Sequence, residues 1–158
     1  MLLLTERSLR LEVFFRDQKA LLAATPSVWP ARGYLSASFG DRPDPFTGQH
    51  DFHSGIDISA TLGTEVVATA DGRVLFCGPN GGYGNNVLID HGRAVVTRYA
   101  HLSAFRVAPG QRVRRGDVIG SVGSTGRSTG PHLHYEVWAQ DHARDPIQFI
   151  LEAYRSWD

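Results

Sequence analysis

Gly72-Arg73-Val74-Leu75-Phe76, Asn86-Val87-Leu88-Ile89-Asp90 and Ala94-Val95-Val96-Thr97-Arg98-Tyr99 are three short apolar runs, separated by Asn80-Gly81-Gly82 and His91-Gly92. Runs rich in β-branched residues and bounded by Asn, Asp and Gly read as strands joined by tight turns. The pattern continues outward. Ile56-Asp57-Ile58 and Glu65-Val66-Val67-Ala68 precede it, Asp71-Gly72 supplies another turn, and His132 to Trp138 follows. Many short strands at regular spacing predict a mainly β fold with an antiparallel sheet or sandwich core. Two helices flank it. Leu4 to Ala24 has no Gly or Pro, and Leu4, Leu11, Phe15 and Leu22 recur near helical spacing. That predicts one amphipathic N-terminal helix, stopped by Thr25-Pro26 and either docked on the domain or opening a coiled coil. Pro146 to Tyr154 is expected to form a short C-terminal helix. The expected boundaries are 1–28 for the helical segment and linker, 29–150 for the β domain and 151–158 for a tail.

The chain has 158 residues, 42% hydrophobic and 20% charged, which reads as one soluble globular domain. Sixteen basic residues balance sixteen acidic ones, which argues against a general nucleic-acid binder. A single cysteine, Cys77, excludes an internal disulfide framework and a cysteine-rich zinc finger. No apolar run has the length of a membrane span, and Met1-Leu2-Leu3-Leu4 is too short for a signal-peptide core. The chain is expected to be either cytoplasmic or a piece of a longer exported precursor.

Seven histidines are many for this length. The strongest pattern is His132-Leu133-His134, because residues two apart on a strand share a face and lie roughly 7 Å apart. Glu136 shares that face, while Leu133, Tyr135 and Val137 point to a core. A metal or acid/base site fits this pattern better than a plain polar strand face. His53-Ser54-Gly55-Ile56-Asp57 is the second pattern. A straight strand would hold His53 and Asp57 roughly 13 Å apart, so a shared ion requires a bend at Gly55. Together with His132 and His134 this makes a His/Asp set of the kind zinc accepts, with one coordination position left for water. The third is His101, expected at the end of a strand after Ala94 to Tyr99. His91, in a predicted hairpin turn, and His142, in a polar loop beside Asp141, are assigned to surface structure. His50 is expected at a site rim at most. The Asp41–Asp51 stretch is long for a loop in a compact domain and reads as functional.

Other chemistries fail on residue types. No Gly-x-Ser-x-Gly elbow exists, and no phosphate loop, since Lys19 is the only lysine. Cys77 follows Val74-Leu75-Phe76, where burial raises a thiol's pKa and leaves it inert. Val107 to Gly120 resembles a hairpin of biotinyl and lipoyl carriers, but Lys19 is not at its tip, so carrier function is excluded.

His53-x-x-x-Asp57, Tyr99-Ala-His101-Leu-Ser and Gly130-Pro-His132-Leu-His134-Tyr-Glu136 together resemble the lysostaphin/LytM-type zinc metallopeptidases. So do Ser38 to Arg42, Val67 to Gly72, Gly81 to Asn85, Ile89 to Gly92 and Gly110 to Gly120. The resemblance runs from about Trp29 to Ile150. It implies an antiparallel sheet with a groove that holds one Zn2+, with His53, Asp57 and His134 as ligands. His101 and His132 would be the catalytic histidines, sharing the roles of proton carrier and oxyanion donor in an order the sequence leaves open. Spacing alone would equally make both His132 and His134 ligands. Glu136 could orient a ligand ring. The implied activity is endopeptidase cleavage of peptidoglycan cross-links, with D-alanyl–diaminopimelate bonds the first choice. The implied location is the cell envelope, which calls for an upstream export segment or an unusual export route, and the N-terminal helix could continue an upstream coiled-coil or membrane-tethered stalk. The Gly123–Gly130, Asp41–Asp51 and Gly78–Asn85 stretches are expected to wall the groove. The alternative is a non-catalytic peptidoglycan-binding or amidase-activating protein on the same fold.

Overall fold

The computed structural model describes residues 2–150, with side chains from Thr5 onward. It opens with helix α1 (Leu2–Ala24). The helix matches the expectation; the amphipathic face does not. Leu11, Phe15 and Leu22 recur at helical spacing, but Leu9, Val13 and Phe14 occupy other sides, and all six are substantially exposed. The helix is held at its C-terminal end. The Arg115 guanidinium donates to the carbonyls of Leu22 and Thr25, and the Asp71 amide donates to Ala23 O at 2.9 Å. A cation on the orphan carbonyls of a helix end is favourable.

The strands follow in order: β1 (Tyr34–Ala37), β2 (Gly40–Pro43), β3 (His50–His53), β4 (Ile56–Ser59), β5 (Glu65–Val67), β6 (Gly72–Pro79), β7 (Asn85–Asp90), β8 (Val95–Phe105), β9 (Arg112–Val113), β10 (Val118–Val122), β11 (His132–Ala139) and β12 (His142–Arg144). One antiparallel sheet runs β1-β4-β11-β8-β7-β6-β9, with β10 bridging β8 and β5 and with β12 beside β11. Strands β2 and β3 form a separate hairpin, so the Asp41–Asp51 stretch is strand at both ends with a six-residue tip, 44–49, between them. Its tip is closed by Asp44, whose carboxylate accepts the amides of Phe46 and Thr47 at 2.7 and 2.8 Å. The core lies between the faces contributed by Ile56, Ile58, Val66, Val87, Ile89, Leu102, Ile119, Leu133 and Val137, all fully buried.

Inside that core a polar chain is fully paired. His91 Nδ1 donates to Asp71 O at 2.7 Å, and its Nε2 meets the Thr97 hydroxyl at 2.7 Å. Thr97 continues to Tyr99, and Thr69 joins Tyr99 to Tyr135. His91 is therefore not the surface turn residue expected. The turn places it, but the ring folds inward over the Asp71 carbonyl. Tyr99 packs here and does not line the groove. At the other end, Pro146–Gln148 forms a single 3-10 turn capped by Asp145 rather than a helix. The rest of the predicted C-terminal helix and the 151–158 tail lie outside the described residues.

Candidate metal centre

Four strands and one bend bring the predicted residues together. His53 ends β3, the chain turns at Gly55, and Asp57 lies in β4. A Cβ on Gly55 would collide with the backbone of Tyr135, so only glycine lets the bend press against β11. Asp57 is paired directly with His134 in register, and His132 with Ser59 one step along the same strands. His101 comes from β8, whose Ala100 faces His134 on the other side of β11.

His101 is not at a strand end. It sits inside β8 at a bulge, where Asn85 pairs Leu102 but Val87 pairs Tyr99. Its φ is 61°, a left-handed backbone that costs a non-glycine residue roughly 1 kcal/mol. The bulge turns the imidazole out of the strand's alternation and toward His132, with ring centroids 4.7 Å apart.

The donor atoms converge. His53 Nε2 lies 3.1 Å from Asp57 Oδ1 and 3.1 Å from His134 Nδ1, and His134 Nδ1 lies 2.8 Å from Asp57 Oδ1. The ring protons point away. His53 Nδ1 donates to Ser38 O at 2.8 Å, and His134 Nε2 donates to Glu136 Oε1 at 2.9 Å. Carbonyl and carboxylate oxygens only accept, so the inward nitrogens carry lone pairs. Two imidazole lone pairs and a carboxylate oxygen then face one another, and such a set is stable only around positive charge. The electrostatics agree. Burial disfavours a charged His134 ring, but Asp57 and Glu136 outweigh it and raise its pKa. Burial likewise opposes ionisation of Asp57, yet the His134 and His53 rings beside it hold its pKa well below the usual carboxylate range. Zinc takes such ligands at about 2 Å, and donors at these separations can share one ion. The residues fit the metal.

Beside this cluster lie His101 and His132. His101 Nδ1 donates to Thr125 O at 2.7 Å, and His132 Nδ1 to Gly130 O at 2.8 Å, so each presents Nε2 to the groove. Burial pushes the His101 pKa down to about 4, so its Nε2 carries a lone pair at neutral pH. His132 Nε2 is 3.8 Å from Asp57 Oδ1. The five predicted residues thus occupy one groove of about 660 Å³. Its walls are the β2–β3 hairpin tip with Asp44 and Phe46, the turn with Gly82 and Tyr83, and Arg127 to Pro131. Of the expected glycine-rich wall only this second half lines the groove. Gly126 instead packs on Gly84, where a Cβ would strike backbone.

Three histidines stay out, His91 being the core residue described above. His50 pairs with Asp41 at 3.2 Å on the far side of the hairpin, and His142 is exposed. Sequence reasoning missed Arg42, whose Nη1 lies 3.5 Å from Asp57 Oδ2. It also missed Arg127, which ties two walls by donating to Asp44 Oδ1 at 2.9 Å while lying over the Phe46 ring. The family-like Ser38 to Arg42 stretch contains Arg42, and its short strand alternates half-buried and exposed positions, but no pattern within the segment points to Asp57 as its partner.

An antiparallel sheet that delivers two imidazoles and a carboxylate to the floor of an open groove, with two more imidazoles beside them, defines a β-sheet metallopeptidase. Known proteins agree. The chain belongs to peptidase family M23, whose family model matches residues 51–146. The DD-carboxypeptidase/endopeptidase Mpg of Neisseria meningitidis is 52% identical over 117 residues, 74% of this chain and 27% of that protein. The peptidoglycan DD-endopeptidase ShyC of Vibrio cholerae is 42% identical over 71% of this chain and 26% of its own length. The chain therefore spans about a quarter of the curated relatives it matches. Among solved structures, a zinc-containing peptidase from Vibrio cholerae superposes with a TM-score of 0.73 at 35% identity, over 78% of this chain and 39% of that one. The catalytic domain of lysostaphin from Staphylococcus simulans gives 0.68 at 32% identity, over 74% of this chain and 91% of that one.

Proposed function

We propose that this chain is a zinc-dependent endopeptidase that hydrolyses peptide cross-links of bacterial peptidoglycan in the cell envelope. The observation that carries the reading is the convergence of His53 Nε2, Asp57 Oδ1 and His134 Nδ1 within 3.1 Å of one another on the groove floor. These three residues would hold one Zn2+, within a hydrolytic unit taken as residues 29–150. When bound, the ion supplies Lewis acidity, lowering the pKa of water and polarising the scissile carbonyl.

The remaining chemistry belongs to His101 and His132. His101 Nε2 takes the proton from the attacking water and passes it to the leaving amine nitrogen. The Thr125 carbonyl keeps the ring in the tautomer that can accept. His132, held by Gly130 O through Nδ1, turns Nε2 toward the same space, and as an imidazolium, with Nε2 also protonated, it donates to the carbonyl oxygen as its charge develops. The groove is open along its length, which suits an extended peptide of small D-residues. Relatives named DD-endopeptidases support a D-alanyl–diaminopimelate bond as the one cut. A non-catalytic role on this fold has no observation in its favour, since every residue of the implied set lies in the groove. Digestion of purified sacculi, with mass analysis of released muropeptides, tests the proposal. Release of uncross-linked monomers supports it. Intact cross-links with zinc-loaded protein refute it.

A further inference from the structure

Behind the metal cluster lies a carboxylate that the chemistry above does not use. Glu136 is fully buried, and five donors surround its two oxygens. Oε1 accepts from Ser54 Oγ at 2.5 Å, Tyr83 OH at 3.0 Å and His134 Nε2 at 2.9 Å. Oε2 accepts from Trp138 Nε1 at 2.7 Å and faces Arg98 Nη1 at 3.4 Å. The sheet builds this arrangement directly. Glu136 is the register partner of Arg98 across β11 and β8, and shares its strand face with His134 and Trp138. Arg98 lies 4.0 Å over the Tyr83 ring, and that ring lines the groove.

We propose that Glu136 is a positioning residue that locks the ring proton of His134 on Nε2 and so holds Nδ1 open as a metal ligand. The inference rests on the metal-centre reading above. An imidazole has two neutral tautomers, and only one leaves Nδ1 free. A carboxylate at Nε2 admits only that tautomer, because it can accept but not donate. Arg98 offsets the buried charge. Ser54 and Tyr83 saturate the same oxygen that holds His134, so the acceptor cannot swing away.

The donor pattern makes a sharp test available in one substitution. Glu136→Gln keeps the size of the side chain but turns one oxygen into an NH2 group. Trp138 Nε1 and the Arg98 guanidinium only donate, so the amide oxygen must face them. The NH2 then faces Ser54, Tyr83 and His134. Both hydroxyls can rotate to accept. The imidazole can accept at Nε2 only by moving its proton to Nδ1, the atom that faces His53 and Asp57. A carboxylate that merely knits strands together would tolerate the exchange; one that sets a tautomer would not.

Zinc dissociation constants are measured by chelator competition on the full chain, with thermal melting of the zinc-free proteins alongside. The expected result is a parent that binds zinc and an E136Q variant that melts with the parent but binds zinc about 10–100-fold more weakly. A parent that binds zinc and an E136Q variant within about twofold of it overturn the tautomer lock and leave the proposed function standing. A parent that binds no zinc overturns the proposed function itself. Should E136Q fail to fold, the zinc-loaded parent decides by 15N–1H correlation of its histidine rings. A His134 Nε2 proton protected from solvent exchange is expected, and a freely exchanging one refutes the lock.

Discussion

His101→Asn separates proton transfer from everything else the site does. The position has φ 61°, and asparagine tolerates left-handed backbone better than other non-glycine residues, so the bulge in β8 survives. The loss is the imidazole. With it goes the 2.7 Å hydrogen bond to Thr125 O, whose removal costs about 1 kcal/mol of folding stability. The three donor atoms around the metal position are untouched, because His101 meets none of them in a hydrogen bond and its ring centroid stands 6.0 Å from that of His134. Removing a positioned proton carrier lowers kcat by about 10²–10⁴, or roughly 3–5 kcal/mol of transition-state stabilisation. Turnover is followed by chromatography of a purified cross-linked dimer, with zinc content by elemental analysis and folding by thermal melt. The expected variant is folded, zinc-loaded and nearly inactive. A folded, zinc-loaded variant with kcat close to the parent's refutes the role given to His101.

Other outcomes follow from the same geometry. Gly55→Ala places a methyl about 3 Å from the Tyr135 carbonyl carbon and Glu136 Cγ, or closer. This overpacking is expected to cost about 1–3 kcal/mol in urea unfolding. Tyr135→Phe removes a buried hydroxyl from Thr69 and is expected to cost about 1 kcal/mol with an unchanged denaturant slope. Burial lowers the pKa of His91, so the unfolded chain gains a proton there that the folded chain resists. That stability is complete above the unfolded pKa near 6.5 and declines as pH falls through it, by up to about 1.4 kcal/mol per pH unit. A His91→Gln variant should therefore show a shallower loss of urea midpoint between pH 7 and 5 than the parent. Stripping zinc with a chelator should abolish turnover and lower the melting temperature, and at free zinc of about 100 Kd its return should restore roughly 2.7 kcal/mol.

What the sequence made legible is what one chain segment encodes by itself. His132 and His134 were readable because a strand alternates with period two, and their strand lies where the pattern puts it. Asp57 was readable only as a partner once Gly55 allowed a bend. The structural reason for that glycine, close approach to Tyr135, joins segments 80 residues apart and leaves no local mark. His91 was misread for the same reason. Its neighbours Asp90 and Gly92 signal a turn, whereas its burial depends on Asp71 and Thr97. The carbonyls of Ser38, Thr125 and Gly130, which set three ring tautomers, belong to the backbone and have no residue signature. Helix α1 shows the reverse case. Its propensity was sufficient to predict a helix, but a few apolar residues at helical spacing did not predict a buried face, because Leu9, Val13 and Phe14 break the stripe.

The central claim is tested most directly by diffraction from crystals grown with zinc, measured on both sides of the zinc absorption edge. One anomalous peak per chain is expected, within bonding reach of His53 Nε2, Asp57 Oδ1 and His134 Nδ1 together. A map with no peak among those three atoms, or with its zinc held elsewhere, contradicts the account.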